Sequence, residues 1–119
     1  MENEQLRKVE DLLNQAAQMD VRSLGEITNA EHLDEKLAIV KRFNESFKPI
    51  EKDFDSFIIN VDRNTTSEIA RLVQKRIEHY IETELVPPRY LGILLRNVTR
   101  CHNSFLGAEQ DKSQGNLTV

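Results

Sequence analysis

"LDEKLAIVKRFNESFKPIEKDFDSFIINV", residues 33–61, is the stretch on which the fold turns. Its apolar side chains are Leu33, Leu37, Val40, Phe43, Phe47, Ile50, Phe54, Phe57 and Val61, and every step between them is three or four residues. An α-helix turns about 100° per residue, so this spacing lays one stripe along one face. Pro49 sits inside the run. A proline in a helix interior removes one hydrogen bond and crowds the preceding turn, so a break is the usual result. The stripe nevertheless keeps its phase across Pro49, which two independent helices would have no reason to do. The reading is one long helix, kinked near Pro49, with a break at which Pro49 opens a new helix as the alternative.

A helix of about 30 residues spans about 45 Å, more than a bundle of this size needs. Apolar stripe is therefore expected to stand exposed on both sides of Pro49, and monomeric proteins rarely leave such patches open. Aromatic rings dominate interface energetics. Phe43, Phe47, Phe54 and Phe57 are thus the expected partner-binding anchors, for a second copy or for another helical protein.

The flanking sequence continues the helical pattern. Before the long stripe, Leu6, Val9, Leu13 and Ala16 mark a first helix, interrupted at Gly25, with residues 21–32 as a connector or short turn of helix. Thr28 and Glu31 have the spacing of a capping box, in which the hydroxyl and the carboxylate each satisfy a free backbone N–H of the other. Thr65 and Glu68 repeat that spacing ahead of Ile69, Leu72, Val73, Ile77, Tyr80, Ile81 and Leu85. Pro87 and Pro88 end that helix, and Pro88 suits the first position of the last one. The last apolar face is Leu91, Leu94, Leu95, Val98, Cys101, Phe105 and Leu106, with Gly107 as its expected stop. The expected architecture is all-α: a four-helix bundle-like single domain over residues 1–107, then a flexible polar tail over residues 108–119.

Composition agrees. With 119 residues the chain can build one core but not two. Only 4 Gly and 3 Pro leave too few tight turns for a sandwich or barrel of many hairpins. No apolar run approaches the roughly 20 residues of a membrane span. A polar, amphipathic N-terminus and a single Cys101 point to a reducing, cytoplasmic setting.

The net charge of −4 conceals an asymmetry. Residues 1–62 carry 14 acidic and 8 basic side chains, whereas residues 63–106 carry 4 acidic and 7 basic. The two halves can attract each other across a fold or between copies. The basic side chains form two sets, Arg71, Lys75 and Arg76 on one helix and Arg89, Arg96 and Arg100 on the next. Either they pair with the acidic half, or they form a basic surface for nucleic acid on which Tyr80 and Tyr90 stack bases.

Catalytic and metal motifs are sparse. There is no His-Glu-x-x-His, no Glu-x-x-His pair of the di-iron kind and no glycine-rich phosphate loop, so no metal, cofactor or small-molecule substrate is expected. One constellation carries chemistry: Arg96, Asn97 and His102 within "LLRNVTRCHNSFLG", residues 94–107. An arginine, a polar residue and a histidine a few positions later resemble the motif of HEPN-type ribonucleases, small helical bundles that usually act as dimers. The resemblance implies that Arg96 stabilises charge on a scissile phosphate, that His102 is general acid or base, and that Asn97 is the polar residue after the arginine. Histidine shuttles protons near neutral pH, and a cation offsets the charge of the oxyanion. On a helical wheel, however, His102 falls within the apolar stripe and Arg96 lies nearly opposite. That placement describes a helix-buried or boundary histidine bonded to a backbone carbonyl beside a surface arginine.

The reading that fits most of the chain is a helical protein–protein interaction module: an adaptor, regulator or complex subunit, coiled-coil-like in its packing. An HEPN-like endoribonuclease and a nucleic-acid-binding protein are the alternatives.

Overall fold

The computed structural model describes residues 3–84 and 87–118, with the side chains of residues 4–83 and 87–105. All regular structure among them is helical: α1 (Asn3–Asn29), α2 (Leu33–Ile58), α3 (Arg63–His79) with a π-helical last turn (Tyr80–Glu84), and α4 (Arg89–Thr118). No helix among the described residues is long and apolar enough to cross a membrane.

The four helices alternate in direction. Asn44, Glu51 and Asp55 of α2 meet Tyr90 and Asn97 of α4 in the same order, so these two run in parallel. Thr66 near the start of α3 meets His102 late in α4, so that pair is antiparallel. α1 touches all three other helices. The core lies between them, with Val9, Leu13 and Ala16 from α1, Phe43, Phe47, Phe54 and Ile58 from α2, Ile69 and Val73 from α3, and Leu91, Leu94 and Val98 from α4. Each set repeats at three or four residues, or at a whole number of such steps, as one buried helix face requires.

α2 passes through Pro49 without interruption. The ring sits on the exposed side of the helix, where the missing N–H leaves a carbonyl that water can reach. The stripe is covered unevenly, however, and here the expectation needs correction. Phe43, Phe47 and Phe54 are buried in the chain's own core and Phe57 is half-buried, so the first three are not surface anchors in this fold. Exposure is confined to the N-terminal end, where Leu33 is 72% and Leu37 60% accessible.

Other local expectations also shift. α1 continues through Gly25 to Asn29, leaving a connection of only three residues, 30–32. A glycine inside a helix costs about 1 kcal/mol, too little to stop a helix that Leu24 and Ile27 continue. The Thr28 hydroxyl donates to the Leu24 carbonyl within α1 (2.7 Å) rather than capping α2, whose N-cap, His32, makes no side-chain hydrogen bond. The N-cap of α3 lies three residues before the expected one. Asp62 is its N-cap, accepting from the Thr65 N–H at 2.8 Å, and hydrogen bonding to the Thr65 side chain and then to its N–H holds the Asp62 carboxyl below the usual range. Pro88 directly precedes α4 and its carbonyl accepts from the Gly92 N–H at 2.7 Å. The α4 backbone stays helical past Gly107 as far as Thr118, so that glycine is not a stop. Side chains from residue 106 onward lie outside the described set, as does Leu85.

The molecule measures 62 × 34 × 27 Å, with a radius of gyration of 17.3 Å. A compact chain of this length has about 13.5 Å. The elongation reflects helices that outrun the four-helix core.

Candidate functional site

The position of α4 decides what is left uncovered. Asp20 is a polar residue in the apolar stripe of α1, one step beyond Ala16 and Ala17, and its side chain is buried. Its carboxylate accepts from the backbone N–H groups of Tyr90 (2.7 Å) and Leu91 (3.2 Å) in the first turn of α4. It thus caps a helix 70 residues away, satisfying donors that a helix start leaves free. Burial pushes the Asp20 carboxyl above the ordinary range, against the pull of those N–H groups and of the Arg89 charge. Across the groove the Tyr90 hydroxyl donates to Asn44 Oδ1 (2.9 Å), and the Tyr90 ring packs on Phe47 with centroids 4.7 Å apart. α4 therefore begins level with Asp20 on α1 and Asn44 on α2.

Beyond that level, residues 21–42 form a helical hairpin against which no third helix packs among the described residues. Two contacts hold its arms together: the Glu26–Arg42 ion pair, and a hydrogen bond from Lys36 Nζ to the Ile27 carbonyl at 2.6 Å. Ile27, Ile39 and Val40 are half-buried along the seam. Val21, Leu24, Leu33 and Leu37 stay exposed. Among the described side chains only two other large apolar groups are so open, Ile59 and Ile81, and they lie elsewhere in the chain. The stripe runs on from the covered region: stepping back from Asn44 by fours and threes gives Val40, Leu37 and Leu33. The groove that α4 fills from Tyr90 onward is thus open toward the hairpin end.

The Arg96, Asn97 and His102 constellation is not assembled within the chain. Asn97 faces α2, its Nδ2 donating to Glu51 Oε2 (2.7 Å) and Asp55 Oδ1 (3.1 Å). Burial and the neighbouring Glu51 charge raise the Asp55 carboxyl, while Asn97 and Arg100 oppose the shift. His102 faces α3, with Nδ1 3.1 Å from the buried Thr66 hydroxyl. That hydroxyl also donates to the Arg63 carbonyl at 2.7 Å. The boundary position anticipated for His102 is right, but its partner is a hydroxyl on α3 rather than a backbone carbonyl. Arg96 is exposed and lines a shallow hollow with Gly92, Leu95, Thr99, Arg100 and Asn103. One residue serves α2, another α3, and the third faces solvent.

The basic residues divide in the same way. Arg71 and Lys75 border a hollow of about 270 Å³ with Leu6, Glu68 and Leu72. Arg76 is bonded to Asn14 and to Glu10, the latter at 2.6 Å. Arg89 lies over the Tyr90 ring at 5.7 Å, and Arg96 and Arg100 line the separate hollow on α4. Cys101 is half-buried, its Sγ 3.7 Å from the Ile58 carbonyl, and burial raises its thiol pKa. Such a thiol is a poor nucleophile. Among the described residues no three His, Cys, Asp or Glu side chains gather closely enough to share a metal ion.

Sequence reasoning missed Asp20 and the importance of Leu33 and Leu37. For Asp20 a signal existed, a carboxylate at core spacing in an apolar stripe. For the leucines none did, because the stripe reads the same along its whole length. No known protein family, curated protein or solved structure matches this chain.

Proposed function

We propose that this chain is a helical protein–protein interaction module, an adaptor, regulator or complex subunit, that docks through the open end of its α1–α2 hairpin. One observation carries the reading: Val21, Leu24, Leu33 and Leu37 are exposed at the end of the groove that no described residue fills. Covering them removes apolar surface from water at about 25 cal/mol per Å². The mechanism is helix-on-helix burial, with flanking charges selecting orientation rather than supplying affinity. The enzyme and nucleic-acid readings have less support, since each needs side chains that here face different neighbours.

A photo-cross-linking amino acid in place of Leu37, in the cell that makes the protein, tests the proposal. The same group at Lys52, exposed beside the four-helix core, is the control. Discrete protein adducts at position 37 and none at position 52 are expected. Absence of adducts at positions 33 and 37 alike overturns the reading.

A further inference from the structure

We infer that the occupant of the open hairpin end is a second copy of this chain, packed antiparallel about a two-fold axis that passes close to Leu37. The inference rests on the interaction-module reading and names its partner.

Two observations carry it beyond an exposed apolar face. The first is continuity with the packing inside the chain. Leu33, Leu37 and Val40 prolong the stripe of α2 that meets α4 at Asn44, Glu51 and Asp55. What fits there is another helix running along α2, and the molecule's own hairpin end supplies a pair of them.

The second is charge. Asp34 and Lys41 flank Leu37 on one side of the stripe, seven residues or about 10 Å apart, and thus on the same edge of the helix. Among the described residues, neither is engaged in an ion pair. When two such helices run antiparallel about an axis near Leu37, the like-placed edges face each other. Asp34 of each copy then lies beside Lys41 of the other, and the two-fold forms this ion pair twice. A parallel two-fold arrangement carries this edge to opposite sides of the interface, so Asp34 and Lys41 of one copy do not meet those of the other. It also drives the two four-helix bodies together, because in each copy the body begins where residues 21–42 end. The antiparallel arrangement sends the bodies to opposite ends and completes a second four-helix layer from the two hairpins. Such an interface is isologous and closed, so it stops at the dimer.

The contact is short, about ten residues from each helix, and small interfaces of this kind are weak or transient. A dissociation constant in the micromolar range or above is expected.

Sedimentation equilibrium of the purified chain, from low micromolar to near-millimolar concentration, tests the proposal. A reversible monomer–dimer equilibrium is expected. Leu37→Asp should hold the chain monomeric throughout, with unchanged helicity by circular dichroism. Asp34→Lys and Lys41→Asp, both at exposed positions that leave the fold intact, should each weaken the dimer by about tenfold. Together they should return it to within about threefold of wild type. A strictly monomeric wild type overturns the inference, as does a dimer that survives Leu37→Asp or a double charge reversal that fails to restore association. A monomeric wild type that still cross-links from position 37 to a different protein would sink the second-copy partner and leave the interaction-module reading standing.

Discussion

The two ends of α2 carry one apolar stripe and meet different fates. From Phe43 to Ile58 the stripe is closed over, with Phe54 and Ile58 at 0% and 3% exposure. From Leu33 to Arg42 it is open, although the helix, the spacing and the residue types are of one kind. The difference comes from α4. Its start at Arg89 directly follows Pro87 and Pro88 and is capped by Asp20. Whether a side chain is buried is therefore settled by where a neighbouring helix begins, some fifty residues further along the chain.

That comparison can be broken most forcefully at its closed end. Phe54→Ala should cost about 3–5 kcal/mol, because the ring fills the core and its removal leaves a cavity. Against a total stability of about 5–15 kcal/mol, this brings the chain close to unfolding in a denaturant titration.

The junction between the two ends should respond less. Asp20→Ala leaves the buried Tyr90 and Leu91 N–H groups without an acceptor and should cost about 1–3 kcal/mol, with faster amide exchange at both residues. Asp20 also gives the junction a pH dependence whose sign can be worked out. Burial raises its folded-state pKa above the ordinary carboxylate value that the unfolded chain retains. Between those two pKa values the folded chain holds a proton that the unfolded chain has released. Unfolding free energy therefore falls as pH rises through that window and is highest below it. Asp20→Asn does not titrate and should lose this part of the slope in urea unfolding measured at a series of pH values. Asp55, raised in the same direction, keeps its own share in both proteins.

The smallest effect belongs to the open end. Leu37→Ala should change the stability of the dilute chain by no more than about 0.5 kcal/mol, as for most exposed positions. A large loss there would mean that the hairpin end is covered within one copy, and the contrast between the two ends would vanish. Together with the cross-linking and sedimentation experiments, this separates a residue that holds the fold from one kept for a partner.

Much of the fold was legible in advance. The number of helices follows from apolar spacing, and so does the continuity of α2 through Pro49, the favoured of two readings. Boundaries were less so. A capping box read at Thr28 failed because the same hydroxyl can bond four residues back inside a helix, and α1 had not yet ended. The one at Thr65 was off by a turn, because Asp62 stands three residues ahead and its carboxylate is an equally good cap. At Arg96 and His102, proximity in sequence carried no information about proximity in space. The two lie about 120° apart on the helix, and Thr66, which holds His102, is 36 residues away.

Periodicity alone determined that this protein is helical, which face of each helix is apolar, and that those faces hold more greasy surface than one small bundle conceals. Those properties depend on each residue and its neighbours within a few turns, where backbone geometry is strict. Only tertiary structure decided which part of the α2 stripe α4 would cover, that Asp20 would cap a helix from across the core, and that Leu33 and Leu37 would be left in water. Each of these is a meeting of segments far apart in the chain, and it is settled by the packing of whole helices rather than by any local preference.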